Sequence, residues 1–213
     1  ILGSNKDADI LTIQVAGSTN RAIHRYLTIK NVTVDVDFES SNSYNPIAAV
    51  SDNLTVDAGL LKLNIKANAI TTSGVYGMGG NYFELDNGGA VNIKVASTEY
   101  PNKVSIASTT PYITDAYEVT AELTANEGTA ASPYEVYVKV PETVTEIKKN
   151  NIGIMSEQYE LYEDENFTEK VLDESWQVSW DAENRGVVYA WAKDLLGEKY
   201  YIITIQRDPA DTP

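Results

Sequence analysis

The residues able to do chemistry in this chain are few and scattered. Asp35 and Asp37 in "VDVDF" put two carboxylates on one face of a strand, with Lys62, Lys66 and Lys94 at comparable places further on. Such a set can hold a divalent cation beside a lysine that takes a proton next to a substrate carboxylate. It is also what a solvated, charge-balanced strand face looks like, and that is the reading favoured. "YEDENFTEK" (162–170) is rich in carboxylates, but it lacks the central Gly and terminal Glu of a calcium-binding loop, so it reads as a solvated turn. The one histidine, His24, stands between Arg21 and Arg25 and reads as part of a surface turn. No Ser-His-Asp site can be built without it. The chain has no Cys, which excludes disulfides, thiolate metal sites and cysteine nucleophiles. "GVYGMGG" (74–80) is glycine-rich but carries no Lys-Ser/Thr, so it reads as a loose turn rather than a phosphate loop. No supported acid–base pair emerges. The expectation is a protein that is not an enzyme, with no catalytic residues, no metal and no cofactor.

The aromatic residues form the other candidate set. Residues 147–208 hold all three Trp. "SWQVSW" puts Trp176, Val178 and Trp180 on one strand face, and "GVVYAW" does the same for Val187, Tyr189 and Trp191. "DAENRG" between them has hairpin-turn chemistry. Trp176, Trp180, Tyr189 and Trp191 are therefore the candidate ligand-binding residues, by stacking on sugar rings. The competing reading makes them the core of a small module, and same-face alternation in paired strands favours it.

The positioning elements follow from composition and period. Lys and Arg total 16 against 31 Asp and Glu, a formal charge of −15. That charge repels nucleic-acid phosphates and anionic lipid. No apolar run approaches the roughly 20 residues needed to cross a membrane as a helix, so no membrane insertion is expected. "ILGSNKDAD" has neither the basic nor the apolar region of a signal peptide, and without Met it reads as a processed or truncated start. A Cys-free, acidic, Thr/Asn/Tyr-rich chain of 213 residues fits a secreted or wall-associated bacterial protein.

Apolar triplets at alternate positions recur: Val32/Val34/Val36, Leu61/Leu63/Ile65, Val91/Ile93/Val95 and Val119/Ala121/Leu123, at steps of 29, 30 and 28 residues. Leu11/Ile13/Val15 precedes them as a fifth member. A shorter pair precedes the later triplets (Leu27/Ile29, Leu54/Val56, Phe83/Leu85 and a weaker Ile113). A third spot recurs between units at Ile23, Ile47, Val75, Val104 and Val136. Three strand signals per repeat predict stacked parallel strands, because a single pass cannot bury its own inner face. An antiparallel sandwich explains the alternation but not the recurrence. The intervening columns, Thr12/Thr33/Lys62/Asn92/Thr120 and Gln14/Asp35/Asn64/Lys94/Glu122, are polar throughout with no like charges adjacent. Strands stacked ~4.8 Å apart require this. The predicted fold is all-β: a short right-handed parallel β-helix of about five coils over 8–140, then a small antiparallel β module over 147–208 capping its last coil.

"LTVDAGLLKLNIKA" and "FELDNGGAVNIKVA" resemble the strand–turn–strand coils of the pectate-lyase-like right-handed β-helix class. They resemble more closely the repetitive bacterial surface proteins often labelled carbohydrate-binding. The resemblance covers roughly residues 8–140 and implies fold more than activity. The expected role is a non-catalytic structural or adhesive segment, secreted or at the cell surface. The alternative is a carbohydrate-binding module that uses the aromatic cluster or the outer face of the coils, with a polysaccharide or a host or cell-wall glycan as partner. "RDPADTP" reads as a linker, so a monomer within a longer multi-module chain is expected.

Overall fold

A computed structural model of the chain describes residues 1–43, 46–69, 74–80, 83–98, 103–154, 158–180 and 186–208. The fold is all-β, and its first half is built from parallel strand stacks. The chain runs through β1 (Ile10–Gly17) and β2 (Arg21–Ile23), then β3 (Leu27–Lys30), β4 (Thr33–Ser40) and β5 (Ile47–Val50). It continues through β6 (Leu54–Asp57), β7 (Leu60–Ala67) and β8 (Val75–Met78), then β9 (Phe83–Asp86), β10 (Ala90–Ser97) and β11 (Val104–Ala107). Each pass places one strand in each of three sheets. The stacks β1-β4-β7-β10, β2-β5-β8-β11 and β3-β6-β9 are all parallel.

The corner between the second and third sheet recurs because its backbone recurs. Asn31, Ala58 and Asn87 follow β3, β6 and β9, and each takes a left-handed φ of 49–51°. A single residue in this conformation turns the chain sharply, and Asn tolerates it. The last corner has an extra residue, Gly88, also at positive φ. Thr33 therefore stacks on Leu60 and Leu60 on Ala90, steps of 27 and 30 residues.

The observed register corrects part of the expected one. Leu61, Leu63 and Ile65 do stack on Val91, Ile93 and Val95. On the other side their partners are Val34, Val36 and Phe38, with Leu11, Ile13 and Val15 beneath. Val32 lies before β4, where its carbonyl accepts the Leu60 N–H. Its apolar side chain extended the alternation two residues too far. Ile23 likewise pairs with Val50, not Ile47. The outward columns become Thr12/Asp35/Lys62/Asn92/Glu122 and Gln14/Asp37/Asn64/Lys94/Thr120. Like charges still never meet.

The expectation of five parallel units fails at the fifth. After β11, residues Ser108–Thr110 reverse the chain into β12 (Pro111–Ile113), which runs antiparallel to β11. Thr110 locks the reversal: its N–H donates to the Ala107 carbonyl and its hydroxyl accepts the Ala107 N–H. A parallel crossover needs a dozen or more residues, and three cannot supply it. β13 (Glu118–Thr124) consequently runs antiparallel to β10, although Ala121 still faces Ile93. "GVYGMGG" is no loose turn either: Val75–Met78 is the buried strand β8. A Cβ on Gly77 would lie 2.0 Å from Ile93 Cδ1, so only glycine lets these sheets approach so closely.

Beyond β13 come β14 (Tyr134–Val140), β15 (Glu146–Lys148), β16 (Ile152–Ile154), β17 (Tyr159–Tyr162), β18 (Gln177–Ser179), β19 (Val187–Asp194) and β20 (Lys199–Arg207). β20 pairs in parallel with β14, and β19 and β17 follow antiparallel. One nine-stranded sheet thus runs β1-β4-β7-β10-β13-β14-β20-β19-β17. Val136, expected in the β11 stack, sits here between Ala121 and Ile203. β16 extends the second sheet through β12. β18 pairs with β15 rather than with β19, so "SWQVSW" and "GVVYAW" do not form a hairpin. The turn expected between them falls largely on residues 181–185, outside the described ones. A single hydrophobic core runs from Leu27 and Val34 through Ile93 and Val136 to Ala190 and Ile205. No helix among the described residues is long and apolar enough to cross a membrane.

Leu63 is buried between Val36 and Ile93. Leu63→Asp leaves a charge with no partner in that ladder and should cost about 3 kcal/mol or more. Asn64→Ala, on the outward face, should cost under about 1 kcal/mol. Equal melting temperatures for the two variants would reverse the assignment of faces.

Candidate binding face

The outward side chains of the nine-stranded sheet form one continuous surface. Its parallel half is a ladder of matched polar groups. The Asn64 amide donates to Asp37 at 3.1 Å, and Lys66 lies 3.8 Å from Glu39. Lys94 and Lys139 both reach Glu118, at 2.7 and 2.8 Å. The acidic pair and the three lysines of the sequence therefore occupy this ladder. Lys66 and Lys94 face carboxylates, while Asp35 and Lys62 are cross-strand neighbours. No group of three metal-ligating side chains occurs among the described residues.

Over β10, β13 and β14 the surface deepens into a groove of about 900 Å³. Its floor carries Lys62, Asn64, Asn92, Lys94, Thr120 and Glu122. Its wall is the connection between β13 and β14, contributing Glu127, Ala131, Ser132 and Pro133. Glu127 holds the start of that connection by accepting the Thr124 N–H, and Gly128 bonds to the Ser132 carbonyl. Gly128 has φ +89°, and a Cβ there would strike the Tyr134 ring at 2.5 Å. Tyr134 is buried against Phe83 and Tyr201, with ring centroids 5.8 and 5.7 Å away, so the wall is anchored in the core.

The far end of the groove is aromatic. Tyr137 lines it beside Glu135 and Ile202. The Tyr137 hydroxyl donates to Glu135 at 2.5 Å, a bond that raises the phenol's pKa. Tyr137 pairs through Thr204 with Tyr189, and Ile202 pairs with Trp191. Tyr189 and Trp191 stack with centroids 6.4 Å apart and planes 22° apart. Tyr137 and Tyr189 are 47% and 48% exposed, and Trp191 is half-buried.

The four aromatic candidates thus separate into two pairs. Tyr189 and Trp191 lie together on the outward face. Trp176, Val178 and Trp180 share one face of their segment and pack against the core instead. The Arg207 guanidinium lies 5.3 Å from the centre of the Trp180 ring. Tyr137 escaped the sequence reading because "YEVYV" was aligned on the wrong stack. Its signal was there: a tyrosine at the outward parity between Val136 and Val138. His24 is exposed in the turn after β2. In "YEDENFTEK", Asp164 accepts N–H groups from Asn166, Thr168 and Glu169 and the Thr168 hydroxyl. These bonds, Glu169's first, lower its pKa. The carboxylate shapes a turn that sets Phe167 against Tyr162 and Tyr200.

No family model matches this chain, and no curated protein or solved structure does either.

Glu118 gives the face a pH signature. Burial pushes its pKa up, but hydrogen bonds from Lys139 and Lys94 outweigh that and hold it below the ordinary 4.5. A depressed carboxylate contributes stability that is present above its ordinary value and is lost as pH falls through the folded value. Glu118→Gln should therefore lower the melting temperature at pH 7, by the equivalent of about 1 kcal/mol. The deficit relative to the unsubstituted protein should shrink as pH drops below 4.5. A deficit independent of pH would mean that the ion pairs are not its source.

Proposed function

We propose that the three parallel stacks are the faces of a short right-handed parallel β-helix over residues 8–140, with four rather than five parallel passes. Residues 147–208 act as its C-terminal cap. The chain serves as a non-catalytic adhesive segment of a secreted or cell-surface protein. The observation that carries this reading is the long outward face itself: an in-register polar ladder that ends in exposed aromatic residues. An exposed tyrosine pair beside a half-buried tryptophan contributes nothing to a core, whereas it suits contact with a partner. The acidic charge disfavours nucleic acid and anionic membranes as that partner. The rigid strand stacks suit a segment that presents a surface while bearing load.

A second reading, a carbohydrate-binding module, is favoured by one specific observation. Tyr189 and Trp191 stand stacked and outward, with Tyr137 beside them at the mouth of a groove lined by amides, hydroxyls and carboxylates. Flat apolar rings flanked by hydrogen-bonding groups match the two sides of a sugar ring.

Beads carrying the chain should be retained on immobilised cell-wall polysaccharide or mucin-type glycoprotein, with no release of new reducing or unsaturated ends over time. Accumulating ends would identify an enzyme. The cap makes its own prediction. Tyr134, Val136 and Val138 of β14 pair with Tyr201, Ile203 and Ile205 of β20. Ending the chain at Pro141 opens that edge, and the fragment should self-associate. A monomeric fragment with an intact β spectrum at high concentration would make residues 147–208 an independent domain.

A further inference from the structure

We infer that the groove between Lys62 and Tyr137 is the subsite of a neutral, hydroxyl-rich polysaccharide that lies across the strands. This rests on the carbohydrate-binding reading above and names its site and ligand class. Three observations converge. First, the groove and the aromatic pair lie on one sheet face, and they are continuous. Ile202 lines the groove and is the cross-strand partner of Trp191. From β7, which carries Lys62, to β19 is five strand spacings, about 24 Å at ~4.8 Å each. That length admits several sugar rings in a row.

Second, the two ends differ in the way a sugar chain requires. Tyr137, Tyr189 and Trp191 offer apolar faces for the C–H side of a ring. Asn92, Thr120 and Glu122 offer donors and acceptors for its hydroxyls, and a carboxylate accepts from a pair of hydroxyls especially well.

Third, the charge selects against anionic polymers. Lys62 and Lys94 are the lysines of the groove, against Asp35, Glu122, Glu127 and Glu135. Lys94 is already bonded to Glu118 at 2.7 Å. The protein as a whole carries −15. A uronic-acid chain entering here meets excess like charge and no uncompensated cationic clamp.

Affinity electrophoresis of the whole chain in gels containing either a linear neutral glucan or mannan, or polygalacturonate, tests this directly. The neutral polymers should retard the protein and polygalacturonate should not. Tyr137→Ala and Trp191→Ala should each weaken neutral-polymer binding roughly tenfold, the effect of one lost aromatic contact of about 1.4 kcal/mol. Tyr26→Ala, an exposed aromatic in the turn after β2, should bind as the unsubstituted chain does. Thermal melting of each variant separates loss of binding from loss of fold. Retardation by neutral polymers that is insensitive to both groove substitutions would overturn the groove and leave the carbohydrate reading standing. Preference for polygalacturonate would overturn the ligand class. Failure of every polymer, with bead adhesion to glycoprotein intact, would remove this inference and the carbohydrate reading together and leave the adhesive one.

Discussion

One constraint governs this molecule: no pass of the chain can bury its own inner face. Leu61, Leu63 and Ile65 are shielded only because Val34, Val36 and Phe38 lie on one side and Val91, Ile93 and Val95 on the other. Everything else answers to that stacking. The corners must repeat in shape, hence the left-handed residue after β3, β6 and β9. The outward groups must tolerate neighbours one strand spacing away, hence alternating carboxylates, amides and lysines. The stack must also end somewhere. The reversal at Ser108–Thr110 ends it by turning the next strand antiparallel, after which β14 and β20 carry the same sheet onward.

The binding face is a by-product of the same geometry. Because strand faces alternate strictly, every residue used for the core leaves its neighbours on a flat outer plane. Along the passes that plane is occupied by groups that satisfy one another. Where the sheet leaves the repeat, at β14, β20 and β19, the need for matched ladders lapses, and Tyr137, Tyr189 and Trp191 appear. Trp176 and Trp180 look similar in sequence but serve the opposite purpose, closing the core beneath the sheet.

How much of this was legible in the sequence depended on the kind of information each feature carries. Period and face were legible, because alternation states which side is buried; the match of Leu61–Ile65 to Val91–Val95 is correct to the residue. Strand direction was not. The triplet Val119/Ala121/Leu123 reads the same in both directions, and antiparallel pairing still sets Ala121 against Ile93. Only the shortness of the link at Ser108–Thr110 betrayed the reversal. Register failed where an apolar residue stood in a corner: Val32 occupies the place that Gly59 and Gly89 hold in the next passes, and its side chain mimicked a strand position. Of the site, Tyr189 and Trp191 were visible as a pair, but their facing depended on β20. β20 joins a strand 67 residues earlier (Tyr134↔Tyr201), and no local pattern reports such a contact.

That distant pairing also sets a clock. Successive passes meet partners fewer than about 30 residues back, and such contacts close quickly. Strands β1 to β11 can therefore assemble in order as the chain emerges from a ribosome or a secretion channel. β14 cannot be completed in that way: its free edge, with a buried-type apolar row, waits until residue 201 arrives. The entropic cost of the longer loop grows only slowly with length, so the finished sheet loses little stability. The delay falls on assembly, where an open strand edge is a template for other copies. The folding hazard of this protein is thus concentrated in one late step, at a single strand, while the rest of the rod is already formed.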